Sequence, residues 1–186
     1  KLYKYRTLHD FKRFLEIIIY NKLYACPFTE FTDKKEGHYY YSELDLHPFQ
    51  INDIAAQKEK LKICSASTNS ESEFLWKNYA DNYFGVAIGF TVDAEKYDLQ
   101  EIEYIDNLIS IDKLVPNTVK QILTKKLMTF KEEEEIRIFS NKYGFILIKI
   151  QEVIVGKNVD SEEFEFIKKL VCKINNKIHV KRQPNI

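Results

Sequence analysis

An α+β fold in one domain, built on a mainly antiparallel or mixed sheet, is predicted by three observations. Segments with strand periodicity outnumber those with helical periodicity. The two kinds do not alternate one to one, as a parallel α/β sheet would require. No internal repeat or low-complexity linker divides the 186 residues, a length that buries a core without disulfides or metals.

Each element has its own local signal. "KLYKYRTL" reads as a strand with Lys4 and Arg6 on one face and Tyr3 and Tyr5 on the other. A helix then starts at about Asp10, a capping residue type, with Phe11, Phe14, Leu15 and Ile18 at helical spacing. "KLYACPFTEFTDKKEG" predicts a strand leaving that helix and a turn-rich segment at Pro27, Asp33 and Gly37. "HYYYSELDLHPFQINDIAAQKEK" carries mixed signals, a helix and a loop broken at Pro48. "KLKICSAS" is a strand, and after "STNSESE" a short helix "SEFLWKNYAD" follows with Ser72 as N-cap.

"YFGVAIGFTV" is a buried strand in which Gly85 and Gly89 mark a close approach or a bulge. "LQEIEYI" is another strand. "PNTVKQILTKKLMTF" reads as a helix from just after Pro116 to about Phe130, with Val119, Ile122, Leu123 and Leu127 on one face. Three strands ("EIRIFS", "GFILIK", "QEVIVGKNV"), a helix ("SEEFEFIKKLVCKI") and a last strand ("KIHVKR") complete the chain.

Composition excludes several functions. Lys+Arg and Asp+Glu both number 28, so no general electrostatic grip on nucleic acid is expected, although a local basic patch remains open. Cys26, Cys64 and Cys172 are an odd, widely spaced set, which suits a reducing compartment and supplies no zinc motif. The histidines (His9, His38, His47, His179) are equally scattered. No apolar run approaches the roughly 20 residues of a membrane span, and no secretory signal is visible, so a cytoplasmic location without membrane partners is expected. Neither a dinucleotide-binding glycine motif, a Walker loop nor a nucleophile elbow is present.

The acidic run in "TFKEEEEIRIF" is the main candidate for chemistry. A helix carrying four glutamates through its C-terminal turn would set each against the negative end of the dipole, at a cost of about 0.3–1 kcal/mol per charge. A strand beginning after Phe130 avoids this. Its alternation places Glu132, Glu134, Ile136 and Ile138 on one face and Glu133, Glu135 and Arg137 on the other. Two carboxylates about 7 Å apart beside a guanidinium suit an acid–base pair, and equally an exposed ion-pair ladder of little energetic consequence.

Other residues carry the same double meaning. Arg6 suits a structural ion pair or a bidentate phosphate contact. Ser65, Ser67 and Thr68 suit a turn or a pocket wall. Trp76 and Tyr79 lie three apart on a helix, where core packing is the default.

Taken in order, "LYKYR", "ICSAS", "LWKNYADNYFGVAIGF", "EEEIR" and "IQEVIVG" resemble the bacterial domain-of-unknown-function family 2971 over Leu2 to about Gly156. The most specific part is Trp76-x-x-Tyr79-Ala80 followed by Gly85-Val86-Ala87-Ile88-Gly89-Phe90. Where the family tends to carry Phe-Asn-Asp-Pro, this chain has Phe31-Thr32-Asp33-Lys34.

The order Arg, Ser-x-Ser, Glu-x-Glu is also similar to the arginine–serine–glutamate class of ADP-ribosyltransferases. That resemblance implies a split sheet holding NAD as substrate in a cleft between its halves. Arg6 would meet the NAD phosphate or ribose, Ser65 and Ser67 would shape the nicotinamide pocket, and Tyr79 would flank the nicotinamide. Glu135 would be the catalytic glutamate, and Glu133 the upstream acid that prepares an acceptor, whether protein or nucleic acid. A bacterial toxin or anti-phage effector restrained by an antitoxin or immunity partner is the biology it implies. Two alternatives stand beside it: a catalytically silent nucleotide- or protein-binding module of the same fold, and a metal-dependent nuclease using the acidic stripe.

Overall fold

The computed structural model describes residues 1–31, 33, 35–140 and 143–184. Thr32 and Lys34, half of the segment that departs from the resembled family, lie outside the described residues. The chain runs β1 (Leu2–Arg6), α1 (Phe11–Tyr20), β2 (Lys22–Tyr24), α2 (Pro48–Lys60), β3 (Lys62–Ser67), α3 (Glu73–Asn78), β4 (Val86–Thr91), β5 (Asp98–Glu101), β6 (Glu103–Ile105), α4 (Thr118–Leu123), β7 (Lys125–Leu127), β8 (Glu135–Ser140), β9 (Phe145–Leu147), β10 (Lys149–Val155), α5 (Ser161–Ile174) and β11 (His179–Arg182).

Seven strands form one sheet in the order β11-β10-β4-β1-β3-β8-β5. All its pairings are antiparallel except β10 with β11. This is the expected α+β class.

Apolar side chains divide between the two faces of this sheet. On one face Val86, Ile88, Phe90, Ile138 and Val153 pack against Phe14, Ile17 and Ile18 of α1 and Ile167 and Val171 of α5. The opposite face has two separate coverings. Tyr5, Ala87 and Ile154 pack under Leu75 and Trp76 of α3, whereas Ile63 and Phe139 pack under Ile54 of α2 and Val119, Ile122 and Leu123 of α4. Because α3 and the α2/α4 pair cover different halves, a gap remains between them above the middle of the sheet.

The sheet is weakest at that same place. β1 meets β3 through one register pair, Tyr3 with Ser67, whereas β1 meets β4 along its whole length and β3 meets β8 along its whole length. Lys4 Nζ reaches over to the Ser65 carbonyl at 2.5 Å, which satisfies a strand acceptor that lacks a ladder partner there. The sheet is continuous there only through that one pair, so β1 and β3 part beyond it.

Local capping follows the expected chemistry. Asp10 and Ser72 accept from the backbone N–H three residues on and start α1 and α3. Gly85 and Gly89 sit at close approaches: a Cβ on Gly85 would lie 2.2 Å from the Arg6 carbonyl oxygen, and one on Gly89 would lie 2.7 Å from Glu152 Cγ. The register of β10 against β4 shifts between Ile150 and Glu152, opposite Gly89.

Three expectations are corrected. Pro48 does not break the second helix but opens it, at the position where a missing N–H does no harm. "LQEIEYI" is two strands in different sheets, β5 on the main sheet and β6 paired with β7. The helix after Pro116 ends at Leu123, and Lys125–Leu127 turns into β7, running parallel to β6. Among the described residues, no helix is long and apolar enough to cross a membrane.

Candidate functional site

The split in the sheet opens into a cleft of about 580 Å³, a volume within the range of small-molecule sites. It is lined by β1 from Tyr3 to Arg6, β3 from Ile63 to Ser67, and Tyr79, Lys126, Glu133 and Glu135 among others. All six residues singled out in the sequence, Arg6, Ser65, Ser67, Tyr79, Glu133 and Glu135, line this one cavity.

They do not all leave the sheet on the same side. Tyr3 pairs with Ser67, and Ser67 with Glu135, so these three share a face with Ser65 and Arg137. Lys4 and Arg6 have the other parity, shared with Cys64 on the α1 side. Arg6 and Glu135 meet in one cavity because β1 and β3 part and the cleft passes through the opening.

The acidic run is shaped by a turn rather than by strand alternation throughout. Met128–Glu133 is a 3₁₀ segment, Glu134 is left-handed at φ +44°, ψ +51°, and β8 starts only at Glu135. The reversal at Glu134 brings the Glu133 carboxylate back beside Glu135. Glu134 itself points elsewhere and accepts from Asn69 Nδ2 at 2.9 Å. The expected pairing of Glu133, Glu135 and Arg137 therefore occurs, with Glu133 delivered by the turn.

These three belong to a buried ion cage with two further members. Lys126 Nζ lies 2.6 Å from Glu133 Oε2, 2.9 Å from Glu135 Oε2 and 2.9 Å from Glu36 Oε1. Arg137 Nε lies 2.8 Å from Glu135 Oε1, its Nη1 donates to the Leu123 carbonyl at 2.5 Å, and its Nη2 pairs with Glu36. Lys126, Glu135 and Arg137 are 6, 5 and 1% exposed, so this is no solvated ladder. Three carboxylates face two cations, leaving one net negative charge.

Burial pushes the Glu135 carboxyl up, but Arg137 and Lys126 more than offset this and hold its pKa at about 2. Burial likewise works against charge on Lys126, and Glu135, Glu36 and Glu133 together raise its pKa above the ordinary lysine value. Both groups are charged across the physiological range.

Tyr79 is half-exposed at the mouth of the cleft, and its hydroxyl donates to Glu133 Oε1 at 2.9 Å. Burial and the Glu133 charge both raise the Tyr79 phenol pKa. Trp76 is the core residue of the pair, stacked on Tyr83 at 5.8 Å. The Tyr104 hydroxyl accepts from the Glu135 backbone N–H at 2.9 Å and fixes the start of β8.

At the other end, the Arg6 side chain makes no hydrogen bond or ion pair among the described residues, and its Nε is buried without a partner. Burial lowers the pKa of both Lys4 and Arg6. A guanidinium left unpaired in a cavity is expensive unless something else satisfies it. The cleft thus has Lys4 and an unpartnered Arg6 on its β1 side, and carboxylates caged by cations on its β8 side.

Lys126 and Glu36 escape the sequence reading. Lys126 had a signal: four residues after Ile122 and three after Leu123, it would fall on the apolar face of the supposed helix, where a lysine needs a reason. Glu36, in a lysine-rich turn, had none. Comparison of the chain with protein-family models, with curated proteins and with solved structures finds no match.

Proposed function

We propose that the protein is an NAD-dependent ADP-ribosyltransferase. The observation that carries this reading is the charge layout of a single cleft, with an unpartnered Arg6 at one end and the oriented carboxylates Glu133 and Glu135 at the other. NAD has the matching pattern: a pyrophosphate that seeks cations and ribose hydroxyls that seek carboxylates. Arg6, with Lys4 beside it, would take the pyrophosphate. Ser65 and Ser67 would line the nicotinamide end.

In the reaction the bond from nicotinamide nitrogen to the ribose anomeric carbon breaks. Its electron pair leaves with neutral nicotinamide, and positive charge builds on the ribose, as in glycoside hydrolysis. Glu135, ionised and oriented, stabilises that charge through the ribose 2′-hydroxyl. The acceptor's nucleophile forms the new bond to the anomeric carbon, and its proton passes to Glu133. The acceptor is a protein or nucleic-acid group, and use as a toxin or anti-phage effector follows from the resemblance alone.

The test incubates the protein with NAD labelled on the adenylate and follows nicotinamide release and label transfer in cell extracts. Glu135→Gln, checked for folding by circular dichroism, should lower turnover by about 100-fold or more. No turnover in any extract, or equal turnover by the variant, would sink the proposal.

A second reading has its own support. Both oxygens of Glu135 are engaged by Lys126 and Arg137, which suits a nucleotide-binding module that keeps the cleft without the chemistry. NAD binding with no nicotinamide release would favour it. The nuclease alternative is weakened, because the Lys126 ammonium fills the space among the carboxylates that a divalent cation would need.

A further inference from the structure

We infer that Lys126 is a positioning residue for this cleft: its ammonium clamps Glu133 and Glu135 in one mutual orientation, with Glu36 as its counterweight. The inference rests on the transferase reading for its kinetic consequences, but the clamp itself can be observed without turnover.

Three features carry it. Lys126 is the one cation among the described residues that touches all three carboxylates, Glu36, Glu133 and Glu135. Arg137 touches Glu135 and Glu36 but not Glu133. Glu133 therefore depends on Lys126 alone for its cationic partner, and its other oxygen is taken by Tyr79. The left-handed turn at Glu134 brings Glu133 near Glu135, and the ammonium is the group that bridges the two carboxylates there.

A cage of this kind is a weak source of stability, since desolvating five charges consumes most of what their attraction returns. What it supplies is fixed geometry at a cavity wall. A lone chain of ion pairs would serve stability equally well on any buried surface. This one holds the two carboxylates of a Glu-x-Glu pair in the wall of a cleft that Lys4 and Arg6 also line.

The groups that face the cage are Glu36 from the segment before α2, Glu133 from the 3₁₀ turn, Glu135 and Arg137 from β8, and Tyr104 from β6. Tyr79 approaches from α3, the Phe130 ring lies 5.0 Å from Lys126 Nζ, and the charge of Lys4 on β1 acts on Glu135. Removing Lys126 leaves three carboxylates facing Arg137 alone, so at least one must hold its proton to higher pH.

The experiment compares Lys126→Met, Lys126→Arg and the double variant Glu36→Gln/Lys126→Met with the parent chain. The double variant removes one carboxylate with the ammonium, so the cage keeps its net charge of one negative while losing the clamp. Two readouts are taken: steady-state kinetics of nicotinamide release, and a carbon-13 NMR titration of the glutamate carboxyls.

In Lys126→Met the Glu135 carboxyl, which loses one of the two cations that hold its pKa down, should titrate about 1 pH unit or more above its parent value. Its kcat should fall about 100-fold through misplacement of the carboxylates, with KM for NAD changed by less than about threefold. Lys126→Arg should recover part of kcat. The double variant should fold as stably as the parent or nearly so, and should still lack the kcat. If Lys126→Met does not fold, the double variant carries the test.

Full kcat in the double variant would overturn the inference, because Lys126 would then act only through charge balance. Unchanged carboxyl titration in Lys126→Met would overturn it as well. A shifted titration in a protein that never releases nicotinamide would leave the clamp standing and refute the transferase reading instead.

Discussion

Glu135→Gln probes the cage through stability as well as through activity. In the native protein the Glu135 carboxyl is held at about 2, against an ordinary value of 4.5. Each unit of difference corresponds to about 1.4 kcal/mol between the two protonation states, so the ionised form contributes about 3 kcal/mol to folding. The folded-state pKa is the depressed one. That contribution is therefore complete above the unfolded value near 4.5 and disappears as the pH falls toward 2.

Glutamine cannot ionise, so the variant should lose about 3 kcal/mol at pH 7 and lose less than the parent on further acidification. Glu152 is also held at about 2, against burial, by Lys1, Lys181 and the Tyr3 hydroxyl, and it titrates in the same window in both proteins. The measurement is thus the difference between parent and variant in urea-unfolding free energy, from pH 7 down to 3. The two curves should converge below about pH 4.5. Parallel curves across the whole range would refute the view that Glu135 is ionised and held by the cage.

Two further substitutions separate ligand binding from folding. Arg6→Gln should change unfolding free energy by less than about 1 kcal/mol, because no ion pair is lost, yet weaken NAD binding by tenfold or more as a charged hydrogen bond disappears. Calorimetry of binding beside urea unfolding checks both halves, and unchanged affinity would remove Arg6 from the site. Gly85→Ala forces a Cβ to within 2.2 Å of the Arg6 carbonyl and 2.8 Å of the Ala80 carbonyl. Backbone must move, so a loss of about 3 kcal/mol or more is expected as a lower thermal midpoint; a midpoint equal to the parent's would show that β1 and β4 separate easily.

Local alternation and capping were legible. The period of two in "EIRIF" puts Glu135 and Arg137 on the face opposite Ile136 and Ile138, and in the folded chain Ile138 lies in the α1/α5 core while Glu135 and Arg137 line the other side. Asp10 and Ser72 cap the helices that their hydroxyl or carboxylate chemistry favours. These readings succeed because each depends on neighbours within a few residues.

The reading of "TVKQILTKKLMTF" as one helix failed for a nonlocal reason. Apolar spacing supported a helix through Leu127, but Lys125–Leu127 gains backbone partners from β6, and as a strand it turns Lys125 toward Glu103 and Lys126 toward the cage. Burying the Lys126 ammonium among three carboxylates is favourable in that arrangement, whereas on the apolar stripe of a helix it would be unpaired.

By itself the sequence determined the class of fold, most element positions and the common face of Glu135 and Arg137, since these follow from periodicity and caps. Only the tertiary structure decided that four glutamates in a row are not equivalent. Like charges tolerate burial only beside counter-charges, and it is packing that assembles them: β7 delivers Lys126, β8 delivers Arg137, and a third carboxylate, Glu36, 101 residues from Arg137, joins through the segment before α2. The parting of β1 from β3, which lets Arg6 and Glu135 reach one cavity from opposite faces of a sheet, is likewise a property of strand packing with no local signature.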